Sequence, residues 1–143
     1  MDLQLKVFIA MNRALKKINI NNNRVLRDYN LTSSQFAVLE ALYHKGELSV
    51  GDVQDKILSS SGTIALIIRN LEKNELLYRR TCKYDKRKFL LQISKKGKSL
   101  IESVYPIIEK NIVDNIDNLD EKEQENILLC LKKMSGYDYE KKS

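Results

Sequence analysis

The chain of 143 residues predicts a mainly α-helical fold with one small β-hairpin, on three observations. Apolar residues recur at spacings of three and four over most of the length. Five Gly and one Pro are too few for a loop-rich or all-β design. Between Leu76 and Ile93 the pattern changes to two short stretches rich in Leu, Tyr, Thr, Phe and Ile around a charged turn. With 43% hydrophobic and 31% charged residues there is material for a core, and the length suits one compact domain.

Six helices follow from start signals and apolar stripes. The first runs from about Leu3 to Ile20 on Leu5, Phe8, Met11, Leu15 and Ile18, and the Asn-rich stretch 19–23 is expected to break it or extend it only weakly. Thr32 and Gln35 form a capping box, Leu31 and Phe36 a hydrophobic staple, and Gly46 closes the second helix. Ser49 and Asp52 repeat that grammar for a short third helix ending near Leu58. The fourth follows Ser59 to Ser61, turns Ile64, Ile67, Ile68 and Leu71 inward, and is expected to end at Asn74. Strands over 76–82 and 87–93 flank the tip 83–86. Ser94 opens a long fifth helix with Pro106 expected to kink it, and Asp120 with Glu123 opens the sixth.

The longest apolar runs, Val7 to Met11 and Ile64 to Ile68, fall far short of the roughly 18 residues a membrane span needs. Nothing at the N-terminus has a signal-peptide pattern, so the expected location is the cytoplasm and no membrane partner is expected. Cys82 and Cys130 are too few for a disulfide scaffold and lack metal-ligand spacing, which predicts two reduced thiols and no metal site. Cys130, among Leu128, Leu129 and Leu131, is expected to be a buried small apolar residue. Cys82, near Arg79 and Arg80, is the candidate for oxidation. His44, the one histidine, reads as a helix-end residue.

The formal net charge is +6, and its distribution says more than the sum. Residues 60–98 hold eleven Lys and Arg against three acidic residues, a local balance of +8, while the remainder of the chain is slightly acidic. A surface for a polyanion is the direct reading. Helix, helix, short connection, helix, hairpin is the order of a winged helix-turn-helix, and the basic stretch covers its last helix and its hairpin. A helix fits the major groove of B-DNA, and a hairpin tip bearing Arg reaches phosphates or a narrow minor groove. Ser60, Ser61 and Thr63 at the start of the fourth helix can cap it or bind phosphate and bases, and Arg69 and Lys73 on its outer face can meet phosphates. Ala65 and Leu66 hold groove-facing positions, so hydrogen-bonded base reading is expected to be sparse. No catalytic residue or cofactor site is assembled: there is no Gly-rich phosphate loop and no nucleophile beside a base. A winged-helix module for protein partners, without DNA binding, is the alternative; it has no use for clustered Lys and Arg.

Four stretches carry a family resemblance: Leu31 to Leu39 (LTSSQFAVL), Ser61 to Ile64 with Arg69 to Lys73, Arg79 with Asp85-Lys86-Arg87, and Ile93 to Gly97. They resemble the MarR (multiple antibiotic resistance) family of winged helix-turn-helix transcription regulators. The segments Tyr43 to Gly46 and Lys56 to Leu58 with Ser60 to Gly62 are similar to its branch responsive to phenols and quinones. The resemblance implies a homodimer that places two winged lobes on a palindromic operator in double-stranded DNA, with repression relieved by a small aromatic or phenolic effector or by oxidation. It divides the chain into residues 31–94, the DNA-binding lobe, and residues 1–30 with 95–143, the helices that pair two copies. Arg87 is then the wing residue entering the minor groove, Asp85 orients it, and Arg79, Lys86 and Lys88 complete the basic wing. Phe8, Met11, Tyr29, Phe36 and Tyr43 stand as wall residues of an effector pocket.

Overall fold

The computed structural model describes residues 1–57 and 61–136. Helix α1 spans Leu3–Asp28, α2 Ser33–Lys45, α3 Val50–Ile57 and α4 Ser61–Lys73; strands β2 (Leu77–Thr81) and β3 (Phe89–Ile93) form the hairpin, followed by α5 (Lys95–Ile116) and α6 (Glu121–Ser135). A two-residue strand that the sequence did not announce, β1 (Leu48–Ser49), pairs antiparallel with β3, so the sheet has the order β1, β3, β2. In the hairpin Leu77 faces Ile93, Arg79 faces Leu91 and Thr81 faces Phe89.

The expected break after Ile20 is absent, and α1 continues through the asparagines to Asp28. Packing overrides local preference there. Asn111 on α5 donates to Asn22 at 2.6 Å, and Leu26 is buried in the core. The helix closes with Asn30 in the left-handed region (φ 56) and the Leu31 amide bonded back to the Leu26 carbonyl at 3.0 Å. The capping box of α2 has both of its bonds: the Gln35 amide donates to Thr32 Oγ1 at 3.1 Å, and the Thr32 amide to Gln35 Oε1 at 3.0 Å. Leu31 and Phe36 are both buried beside it. At α3 the Asp52 amide donates to Ser49 Oγ at 3.1 Å; the expected end near Leu58 lies outside the described residues.

Helix α4 ends differently from expectation. Glu75, not Asn74, takes the left-handed position (φ 60), with the Leu76 amide bonded to the Leu71 carbonyl at 2.9 Å. Leu71 and Leu76 are both buried, so the turn is set by the need to return the chain to the core at once. Ser94 then ties this turn to α5: its amide donates to Leu76 O at 3.1 Å, its Oγ donates to Glu75 O at 2.7 Å, and the same Oγ accepts from the Gly97 amide at 3.0 Å. Gly97 is buried against the Leu76 carbonyl. Helix α5 is continuous across Pro106.

One core joins these elements, with Leu39, Leu42, Val53, Ile64, Ile68, Leu71, Leu77, Leu91, Ile101 and Val104 at its centre and no buried polar or charged residue among the described ones. The outer half of α1 and all of α6 stand apart from it. Helix α6 has both capping-box bonds at Asp120 and Glu123, and Gly136 (φ 70) closes it, yet it buries no residue. Its apolar stripe, including Ile127, Leu128 and Leu129, is exposed. Cys130 is therefore exposed rather than buried as expected, because none of the described residues buries that face of α6.

Candidate nucleic-acid interface

Two elements, α4 and the wing, present the basic residues. On α4, burial of Ile64, Ile67, Ile68 and Leu71 turns Thr63, Ala65, Leu66, Arg69, Asn70 and Lys73 to the exposed side. Ser60 and the side chain of Ser61 lie outside the described residues, so their expected contacts have no structural account.

The wing supplies the second element. Its turn is held by the Cys82 amide donating to Lys88 O and the Lys88 amide to Asp85 O, each at 3.0 Å. Asp85 Oδ1 accepts from both the Arg87 amide at 3.0 Å and Arg87 Nε at 3.3 Å. The carboxylate thus fixes the backbone and the guanidinium of one residue together, while the Arg87 side chain stays 93% exposed. Lys83, Lys86 and Lys88 are exposed around it. A charged group held in place and open to solvent can engage an anion without first losing much of its rotamer freedom.

Arg79 and Arg80 have a different place. Arg79 makes a two-pronged bond to Glu72 on α4, Nε and Nη2 each 3.2 Å from a carboxylate oxygen, and its guanidinium lies over the Phe89 ring at 5.7 Å. Arg80 makes the same kind of pair with Glu47, which precedes β1. The hydrogen bond from Arg80 holds the Glu47 carboxyl below the ordinary glutamate range against the opposing effect of desolvation, and the same bond raises Arg80. Both arginines tie the wing base to the lobe. Glu72, Glu47 and Phe89 are the orienting residues that sequence reasoning missed. Arg79 is seven positions from Glu72 and Arg80 thirty-three from Glu47, spacings that carry no local signal.

The five residues named for an effector pocket fall in two places. Phe8 (60% exposed) and Met11 line an open groove of ≈ 350 Å³ with Leu3, Gln4, Val7 and Met134, between the start of α1 and the end of α6. Phe36 is buried in the core, and Tyr29 and Tyr43 pack half-buried on it. The Tyr43 hydroxyl donates to Glu102 Oε1 at 3.4 Å, and the ring of His44 is edge-on to both Tyr43 and Tyr105. Cys82 is half-buried on the wing. Among the described residues no cluster of His, Cys, Asp and Glu is placed to hold a metal, and no helix is long and apolar enough to cross a membrane.

A helical lobe with an exposed basic helix beside an Arg-tipped hairpin is the architecture of a winged helix-turn-helix transcription regulator. Residues 31–89 match the MarR family, and the HTH-type transcriptional regulator MhqR of Bacillus subtilis (strain 168) is 38% identical over 133 residues, 93% of this chain and 92% of that protein. This chain belongs to the MarR family; it is a DNA-binding transcription regulator, not an enzyme. Among solved structures, Bordetella bronchiseptica BpsR, whose DNA binding is regulated by 6-hydroxynicotinic acid, is 28% identical with a TM-score of 0.81 over 91% of this chain and 98% of its own. Staphylococcus aureus MepR, solved as a DNA complex, shares the fold at 22% identity, with a TM-score of 0.82 over 95% of this chain and 98% of its own.

Proposed function

We propose that this chain acts in the cytoplasm as a homodimeric repressor that sets two winged lobes on a palindromic operator and releases it when a small aromatic effector binds or a thiol is oxidised. The observation that carries the DNA-reading part is Arg87, exposed on the wing and hydrogen-bonded to Asp85. In this reading Thr63, Arg69 and Lys73 meet the major groove and its phosphates, with Ser60 and Ser61 at the start of the same helix. Lys86 and Lys88 flank Arg87 at the backbone, and Arg79 contributes by holding the wing. Residues 1–30 and 95–143 pair the two copies, because the outer half of α1 and all of α6 leave apolar side chains uncovered in one chain. Tyr29 and Tyr43, at the seam between α2 and the long helices, and Phe8 and Met11 in the groove are the surfaces offered to an aromatic ligand. The relative BpsR responds to an aromatic acid, which supports that ligand class. Cys82 and the exposed Cys130 are the thiols open to oxidation.

The test is a fluorescence-anisotropy titration on a duplex selected from a random library, repeated over a range of salt. Arg87→Ala is expected to weaken binding about 10- to 100-fold and to reduce the slope of log K against log salt by about 2, one contact per wing of a dimer. Equal affinity at every salt concentration would remove the wing from DNA recognition.

A further inference from the structure

The outward side of α4 is not uniformly polar. With Ile64, Ile67, Ile68 and Leu71 in the core, the residues diametrically opposite are Gly62, Leu66, Arg69 and Lys73, spaced by four, three and four. Leu66 is 55% exposed in the middle of that ridge, with Ala65 and Asn70 exposed to either side. A lone surface leucine needs no explanation, but this one projects from the centre of the cationic face. Gly62 adds a second observation. It stands in the first turn of α4 on the same ridge, and a Cβ there would meet no described atom within 4 Å. Nothing in the described fold asks for the missing side chain; a large body lying along the helix would.

The charge of the ridge selects a polyanion as that body, and an aliphatic side chain can neither donate nor accept a hydrogen bond. The feature of a major-groove base edge that it can recognise is the C5-methyl of thymine, which A, G and C lack. We propose that Leu66 reads a T·A pair in each half-site by packing on the thymine methyl, with Arg69 and Lys73 anchoring the helix to flanking phosphates and Gly62 admitting the duplex close to the first turn. This rests on the DNA-binding reading above and goes beyond it by naming the base and the atom read.

The experiment selects duplexes from a random library with the full chain. It then replaces each thymine of the selected sequence in turn with deoxyuridine, which removes the methyl and leaves base pairing intact. For the unaltered protein, one or two positions per half-site are expected to lose roughly four- to tenfold in affinity. Leu66→Ala is expected to bind the thymine and uracil duplexes equally, near the affinity of the parent for uracil. Leu66→Met, which keeps an apolar side chain of similar reach, is expected to retain the discrimination. Indifference of the parent to every thymine, or unchanged discrimination in Leu66→Ala, would overturn the proposal while leaving DNA binding intact. If no duplex is bound even at low salt, the DNA-binding reading fails, and this one with it.

Discussion

Gly97 shows how much a single missing side chain decides. A Cβ there would stand 2.1 Å from the Leu76 carbonyl oxygen and 2.9 Å from Ile93 Cγ1, and neither the strand backbone nor the packed isoleucine can withdraw cheaply. Gly97→Ala is therefore expected to destabilise the fold by about 2–4 kcal/mol, read as a lower urea midpoint, although alanine is the better helix former. An unchanged midpoint would mean that α5 shifts freely away from β2. The contact was not legible from sequence, where Gly97 reads only as part of a helix start. Glu75 is similar: its left-handed backbone contradicts residue preference, and what determines it is the pair Leu71 and Leu76, both required in the core. Arg87 and Asp85 are found through the family resemblance, and their two-residue spacing is short enough for the carboxylate to accept from both the Arg87 amide and its guanidinium. Arg79 reads from the sequence as a DNA-facing cation, and the tying roles of Arg79 and Arg80 stay hidden there, because their acidic partners become neighbours only once the sheet packs on α4 and the chain before β1.

At the scale of elements, the wing is tied at its base by Arg79 to Glu72 on α4 and by Arg80 to Glu47 before β1. Surface pairs contribute little to global stability, typically below about 1 kcal/mol, but they restrict local motion. Glu72→Gln is thus expected to leave Tm within a few degrees while speeding hydrogen exchange of the Leu77–Thr81 amides; unchanged exchange would show that Phe89 and the strand ladder hold the wing alone. Helix α2 carries a carboxyl of the opposite tendency. Burial pushes Glu40 above the ordinary glutamate range, against the attraction of His44. The folded state then holds that proton more tightly than the unfolded chain, so the contribution of Glu40 is most favourable at acid pH and declines as pH rises through and above that range. Glu40→Gln is expected to raise Tm at pH 7 with no gain at pH 4, and an equal gain at both would assign the effect to packing instead. Glu47 behaves inversely, its contribution present at neutral pH and lost on acidification below the glutamate range. Both capping boxes, with the helices they open, were legible because cap and stripe agree, and α1 was legible by its stripe alone; β1 was not, because two residues carry no period. The asparagines of α1 misled because their helical state is stabilised from α5, across 89 positions of sequence.

For the whole molecule, the decisive feature is how the uncovered apolar surface is distributed. Most of it lies on the outer half of α1, on α5 from Ile107 onward and on α6, including Leu3, Phe8, Leu15, Val113, Leu128 and Leu129, whereas between α2 and β3 the exposed large apolar residues are Leu66 on α4 and Tyr78, Tyr84 and Phe89 on the wing. A dimer that buries it should melt at a temperature that rises with protein concentration. Leu128→Glu is expected to shift the sedimentation coefficient towards that of one chain and to abolish that concentration dependence; a Tm independent of concentration in the parent would argue for a self-sufficient subunit. Ser94 and Gly97 also join the first turn of α5 to the base of the wing by backbone contact. Helix α5 has 22 residues, about 33 Å of stiff rod at the usual rise. A tilt of about 5° pivoting at its far end swings the hairpin root by roughly 3 Å, close to the spacing of successive base pairs along a duplex. In the proposed release of the operator, this lever would turn a small rearrangement among the long helices into a misfit at the groove.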